Sequence, residues 1–172
     1  NIANNNITSE EKNVKLIEEF EHNFIFLVDG KLVSNNFDLE DNNNIFINDY
    51  NYKNEIKFDK QSSLTLLNNA LATGGFTLEV SKNYKFKKPL VIYNYFSKNL
   101  KESIINNKNS IILNDETELT LINYIDNDSK NNFMTNTIDN ILIKKNASLK
   151  NIFINNSRCN GYFYRYIKSV LE

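Results

Sequence analysis

A strand-turn-strand phrase that recurs along the chain is the feature that most constrains its fold. Residues 111–124 read IILNDETELTLINY and residues 141–154 read ILIKKNASLKNIFI, so the two copies begin 30 positions apart. A looser copy, FTLEVSKNYKFKKPLVI, covers residues 76–92. A unit of two short strands around a turn cannot bury its apolar side alone, so the copies must stack on one another. The repeat therefore predicts a mainly β fold, a parallel β-solenoid.

The two clearer copies share apolar positions that strand alternation predicts to face inward. These positions are Leu113, Leu119 and Ile122 in the first copy and Ile143, Leu149 and Ile152 in the second. Glu116 and Asn146 occupy the turns, and the small residues Thr117 and Ala147 follow them. Asn suits such a corner because it tolerates left-handed backbone geometry. The recurring residues are therefore explained by how a solenoid winds, and they do not indicate a catalytic site.

Composition limits the classes of protein to which the chain can belong. With 172 residues and 41% hydrophobic content, it is large enough for one domain with a core. Its 20 basic and 21 acidic residues give a formal charge of −1, with no long run of either sign. No apolar run approaches the roughly 20 residues that a membrane-spanning helix needs. Neither nucleic acid nor a membrane is therefore a predicted partner.

The densest basic cluster contains Lys85, Lys87 and Lys88. These lysines alternate with the aromatic residues Tyr84 and Phe86, which could suggest a surface for nucleic acid. The same alternation is typical of a strand with one buried side, and we favour this interpretation.

Asn, Ile and Lys are heavily used, whereas the chain has only one Pro and no Trp. All three enriched residues have codons rich in A and T, so genome bias is the simplest explanation. The alternative is structural, because Asn side chains can form ladders along stacked strands.

The first 61 residues are predicted to form an N-terminal segment distinct from the repeats. Thr8 or Ser9 caps a short helix that we expect to end near His22 or Asn23. Its apolar residues recur at helical spacing.

A small hairpin is predicted next. Two apolar runs, residues 24–28 and 31–33, flank Asp29-Gly30, and this dipeptide favours a type I′ turn. The polar residues 35–44 are predicted to be a loop, and residues 45–47 a short strand.

Residues 62–172 are predicted to form a β-helix core that begins with a second helix. Ser62 or Ser63 is the expected N-cap, and Gly74-Gly75 the stop, a bare glycine pair rather than a phosphate-binding loop. The apolar residues expected on one face of this helix are Leu64, Leu67 and Leu71.

From Phe76 onward the apolar pattern has a period of two, interrupted by polar links at residues 97–109 and 126–132. The chain begins at Asn1 and shows no stop signal at its end, so we expect a fragment of a larger repeat array. Such a fragment would leave an unpaired strand edge near residues 162–171.

Residues with catalytic potential are few and scattered. His22 has no partner in the sequence for a metal site, and Asp115, Glu116 and Glu118 are most simply solvated residues around a turn. Cys159 is the single cysteine, so it can form no intramolecular disulfide and has no second thiol for a metal. We therefore predict no catalytic, cofactor-binding or metal-binding residue, and a protein that is not an enzyme.

The segment LNNALATGGFTLEVSKNYKFKKPL, residues 67–90, resembles the core of the SufB/SufD family of iron-sulfur cluster assembly proteins. The residues that match the family pattern are Leu67, Asn68, Ala70, Gly75, Val80, Lys82 and Pro89. Ser81 and Asn83 stand where the family usually has Pro and Gly. Residues 109–125 and the phrase FIFLVDGK, residues 24–31, resemble further family segments, and the second favours the SufD branch.

The resemblance implies a right-handed parallel β-helix that acts as a scaffold with a SufB-like subunit and the ATPase SufC. It also implies a location in the cytoplasm or in an organelle of bacterial origin. The cysteine and histidine positions that the family uses near the cluster lie in strands beyond this chain. Neither Cys159 nor His22 occupies them, so none is carried over.

Two other functions remain open from the sequence. A carbohydrate-binding or pectin-lyase-like β-helix needs clustered Asp and Arg on one face, whereas this chain has only Arg158 and Arg165. An Asn-rich adhesion repeat is the third possibility, and it would predict secretion.

Overall fold

The structure is a computed structural model that describes residues 16–50, 62–98, 100, 103–127, 130, 132–156 and 161–172. These residues form ten strands and two helices. In chain order the elements are β1 (Asn23–Val28), β2 (Lys31–Asn35), α1 (Leu39–Asn42), β3 (Ile45–Asp49), α2 (Ser63–Leu71), β4 (Phe76–Val80), β5 (Leu90–Phe96), β6 (Ser103–Leu113), β7 (Glu118–Asn127), β8 (Phe133–Ile143), β9 (Ser148–Asn155) and β10 (Gly161–Leu171). The protein is thus mainly β, as predicted.

The strands belong to two five-stranded mixed sheets. We call the first sheet A, with strand order β2-β1-β5-β7-β9, and the second sheet B, with strand order β10-β8-β6-β4-β3. From β4 onward, consecutive strands alternate between the two sheets. The only antiparallel neighbours in the two sheets are β1 with β2 and β3 with β4, among the described strands.

The 30-residue repeat of the sequence corresponds to the distance between stacked strands. In sheet B, β6 pairs in parallel with β8 from Ser103 opposite Phe133 to Leu113 opposite Ile143. In sheet A, β7 pairs with β9 and starts with Glu118 opposite Ser148. Equivalent residues of the two copies are therefore direct neighbours, as the repeat predicts.

A left-handed residue lies at each corner where the chain passes from sheet B to sheet A after β4, β6 and β8. Asn83, Glu116 and Asn146 have φ angles of 66°, 60° and 57°. The corners are also bonded to one another, because the N–H of Asn83 donates to the carbonyl of Asp115 and that of Glu116 to the carbonyl of Lys145. The predicted turn positions are confirmed.

The N-terminal hairpin is also confirmed. Asp29 and Gly30 have φ angles of 49° and 81°, as a type I′ turn requires, and they join β1 to β2. β1 pairs with β5 and β3 with β4, so strands of the N-terminal segment extend both sheets of the repeats.

The apolar core lies between the two sheets. Its buried residues come from both sheets and from the connection between β2 and α1, which contributes Phe37. The others are Ile25, Leu27, Ile45, Ile47, Phe76, Leu78, Val80, Leu90, Ile92, Ile111, Leu113, Leu119, Leu121 and Ile141. Leu113 and Leu119 lie there as predicted, with Leu149 packed at its margin.

The inward prediction was wrong for Ile122 and Ile152. Both belong to a second apolar cluster, built on Phe26, Tyr93 and neighbouring residues on the other face of sheet A. The reason is strand alternation: Leu119 and Leu121 face the core, so Ile122 must face away.

Three further sequence predictions require correction. Residues 16–22 are not helical, so the predicted first helix does not extend to His22; its start lies outside the described residues. The predicted loop at 35–44 contains α1, and the predicted link at 97–109 is strand from Ser103 onward. Polar side chains of β6 hid this strand from the apolar pattern.

Helix α2 begins at the predicted N-cap but buries a different face. The hydroxyl of Ser62 accepts a hydrogen bond from the N–H of Thr65, as an N-cap should. Its buried residues are Thr65 and Asn68, whereas Leu71 is 54% exposed. The helix therefore meets the outer side of sheet B through polar groups. Among the described helices, none combines the length and apolarity that crossing a bilayer requires.

Candidate functional site

A polar cluster crosses the space between the sheets beside the apolar core. Arg165 on β10 donates from Nε to Oδ2 of Asp139 on β8, at 2.5 Å. Its Nη2 reaches sheet A and donates to Oδ1 of Asn123 on β7, at 2.9 Å. The guanidinium also lies over the ring of Phe153 on β9, 4.6 Å from its centroid. One side chain thus links four strands of both sheets.

Asparagine side chains complete this cluster. Asn109 donates to the second carboxylate oxygen of Asp139, at 2.8 Å, and its own Oδ1 accepts from the N–H of Phe76. Asn123 donates to Asn151, at 2.8 Å. The Asp139 side chain is only 3% exposed, and both of its oxygens accept hydrogen bonds. The arrangement suits a bridge between the sheets better than a nucleophile or a proton acceptor.

A small cavity lies beside Arg165. Its volume is about 30 Å³. The lining residues come from both sheets and are Asn94, Phe96, Asn107, Ile125, Thr135, Thr137, Phe163, Tyr164 and Arg165. The cavity is too small for a metabolite.

His22 has a partner that the sequence did not reveal. Its Nε2 lies 2.8 Å from the hydroxyl of Tyr93, and its Nδ1 lies 2.9 Å from the carbonyl oxygen of Phe20. The Tyr93 hydroxyl also accepts from the N–H of Ile17, at 2.9 Å. Burial raises the pKa of the Tyr93 phenol, and the Ile17 N–H partly opposes this shift. The contacts fasten the segment that precedes β1 to the outer face of sheet A.

The closely spaced carboxylates do not form an acid-base pair. Asp115 lies 3.4 Å from the Lys82 ammonium, and Glu118 lies 2.5 Å from that of Lys85. The hydrogen bond to Glu118 raises the pKa of Lys85. Glu116 is exposed at its corner. Each group faces solvent near a turn, in agreement with the simpler interpretation of these residues.

The basic cluster is the exposed side of a half-buried segment. Tyr84 and Phe86 pack against the core, whereas Lys85, Lys87 and Lys88 are exposed. The alternation of buried and exposed side chains is confirmed, but the segment is not a strand, because within residues 84–88 only Lys85 makes a β-bridge, an isolated one with Glu118.

Gly74-Gly75 has a packing role. Gly75 has a φ of 119°, and a Cβ atom there would lie 1.7 Å from the carbonyl oxygen of Lys108. At Gly74 a Cβ would lie 2.5 Å from the carbonyl oxygen of Gly30. Glycine is thus required because backbones of three segments meet there.

The sequence reasoning missed Asp139, Asn123 and Arg165 as one cluster. A usable signal existed, because Asn109 and Asp139 are polar residues at core-facing positions 30 residues apart. Cys159 lies outside the described residues. Within the described ranges, no group of three or more His, Cys, Asp and Glu side chains could hold a metal.

Comparison with known proteins adds no relative: no family model matches the chain, and no curated protein matches it significantly.

Proposed function

We propose that the chain is a SufD-like scaffold subunit of iron-sulfur cluster assembly, without catalytic activity of its own. It would act with a SufB-like subunit and a SufC-like ATPase, in the cytoplasm or an organelle of bacterial origin. In this proposal its strands wind as a right-handed parallel β-helix.

The pairing pattern supports the β-helix part of this proposal. Consecutive strands from β4 to β10 alternate between two sheets, and stacked strands in the best copies are 30 residues apart. Such stacking produces a long, stiff side on which a partner can rest, as in other solenoid scaffolds.

The observation that carries the family assignment is the geometry of the segment that resembles the SufB/SufD core. Asn83 stands where the family usually has Gly, and its φ of 66° is the left-handed geometry that Gly adopts readily. Gly75, which matches the family, has no room for a side chain. Val80, another match, is fully buried in the core. The departure at Asn83 therefore preserves the turn, and the matching positions have structural reasons.

Co-expression with a SufB-like subunit and a SufC-like ATPase tests the proposal. We expect affinity-tagged chain to retain both proteins through gel filtration at physiological salt. A parallel β-helix protein of similar size and unrelated function, carrying the same tag, is the control. If the chain retains neither protein, or no more than the control does, the proposal is wrong.

The carbohydrate alternative gains no support from the described residues. Arg165, one of its two arginines, points into the space between the sheets and pairs with Asp139. Binding of polyuronate, measured by calorimetry in parallel with the co-purification, would favour the alternative.

A further inference from the structure

The cavity beside Arg165 has walls with an unusual share of polar side chains for the interior between two sheets. Asn107 and Thr135 are only 5% and 4% exposed, and Asn94 and Thr137 are partly buried. All four line the cavity together with the Arg165 guanidinium. If apolar side chains filled the cavity, as they fill the neighbouring core, these polar groups would have no hydrogen-bond partner there.

Several of these groups have no protein partner. Among the described residues, none makes a hydrogen bond with the side chains of Asn107, Thr135 or Thr137. Buried polar side chains in native proteins are almost always bonded to protein or to ordered water. The polar groups of these three side chains line the cavity and are open to a ligand that can both donate and accept.

The charge of the ligand follows from Arg165. Its Nε and Nη2 each donate to a protein group, and a guanidinium has about five N–H donors, so others remain for a ligand. Asp139 balances the positive charge at 2.5 Å. The cavity therefore favours a neutral ligand over an anion.

The size of the ligand follows from the volume. A water molecule needs roughly 10–15 Å³ of accessible space and two to four polar partners. The cavity offers about 30 Å³. We propose that it is an internal hydration site that holds one or two ordered water molecules, bonded to Thr135, Thr137, Asn107 and Arg165. The water would connect strands β6, β8 and β10 through side chains that do not touch directly.

A crystal structure of the 172-residue chain at high resolution, together with water-protein NOE spectra, tests this proposal. We expect water density about 2.7–3.2 Å from Thr137 Oγ1 and from at least one other lining polar atom. We also expect NOEs from water to the Asn107 amide protons. An empty cavity in the wild-type crystal, or a buffer ion in place of water, would overturn the proposal.

Two variants separate a specific site from surface hydration. Thr135→Val with Thr137→Val removes both hydroxyls at nearly unchanged shape, and it should abolish the density and the NOEs. Thr120→Val, on β7 and outside the cavity lining, is the matched control and should leave both signals unchanged. If the double variant does not fold, Thr137→Val alone should lose the NOE to Asn107 amide protons or weaken it severalfold. Signals that persist in a folded variant would also contradict the proposal.

Discussion

At the residue scale, left-handed residues lie at the turns that carry the chain from sheet B to sheet A. These turns are occupied by Asn83, Glu116 and Asn146, with φ near 60° in each case. A residue with a Cβ atom loses about 1–2 kcal/mol in this conformation, and Asn loses less because its short amide can bond locally. Glu116 is therefore the least suitable of the three residues for its left-handed backbone conformation.

Exchange of residues between two equivalent corners tests this reasoning. We expect Glu116→Asn to raise the free energy of unfolding by about 0.5–1 kcal/mol, because it removes part of the left-handed strain. Asn146→Glu should lower it by a similar amount at the equivalent corner. Both are measured by urea denaturation at neutral pH. Equal stability of both variants and the wild type would show that the corners are not strained.

Tyr93 predicts a response to alkaline pH. Burial raises its pKa in the folded state above the unfolded value of about 10, so the folded state holds the phenol proton more tightly. This contribution to stability is complete below about pH 10 and is lost as the pH rises through the folded pKa. We expect the melting temperature to fall above pH 10, and Tyr93→Phe to flatten this fall.

The control for Tyr93 is Tyr162, whose side chain is 74% exposed. Tyr162→Phe should leave the alkaline fall unchanged. If both variants flatten it equally, general charging of tyrosines rather than Tyr93 is responsible.

At the scale of elements, the sequence predicts the strands whose apolar residues alternate regularly. It misses the strand segments that are buried through polar contacts. The 30-residue repeat gives the stacking of β6 on β8 and of β7 on β9, because apolar alternation and left-handed corners are local properties. The start of β6 is missed because its buried residues there include Asn106 and Asn107. The Asn106 side chain accepts from Asn136 on β8, and the carbonyl of Asn107 accepts from Asn68 on α2, partners that no local pattern reveals.

Asparagine acquires a structural meaning at particular positions. Asn136 donates to Oδ1 of Asn106, its neighbour in register, at 3.0 Å. Three positions further along β6, on the opposite face, Asn109 donates to Asp139, which is likewise its neighbour in register. Genome bias can explain how common Asn is, but these buried ladders depend on its amide group.

Helix α2 provides a test at the level of one element. The amide of Asn68 donates to the carbonyl oxygens of Asn107 and Asn136, at 2.9 and 2.6 Å, and thereby joins the helix to β6 and β8. Asn68→Ala leaves these acceptors without that donor, at about 1–3 kcal/mol for an unsatisfied buried group. Alanine recovers about 0.5 kcal/mol through helix propensity. We expect a net loss of about 0.5–2.5 kcal/mol in chemical denaturation.

Leu71→Ala is the matched control, because Leu71 ends the same helix and is 54% exposed. It should change stability by less than about 0.5 kcal/mol. A larger loss for Leu71→Ala than for Asn68→Ala would mean that the helix docks through the leucine face that its sequence predicts.

At the scale of the whole molecule, the edge of sheet B is the feature with the clearest consequence. This sheet ends in a long strand, β10. β10 pairs with β8 along its full length, from Gly161 to Leu171. No described strand pairs with its other edge. Side chains near this edge include exposed apolar groups, such as Ile167 at 40% and Leu171 at 77%. Long, flat edges of this kind are templates for pairing with another chain.

The isolated 172-residue chain should therefore associate through β10. We expect light scattering after gel filtration to show a mass that rises with concentration. Ile167→Lys places a charge on the edge strand, which is how natural proteins prevent such pairing, and it should increase the monomer fraction severalfold.

Leu66→Lys, on α2 and 55% exposed, adds the same charge away from any strand and should have little effect. A wild-type chain that stays monomeric at high concentration and melts sharply would contradict this prediction. A similar gain in monomer from both variants would show that net charge, and not the β10 edge, controls association.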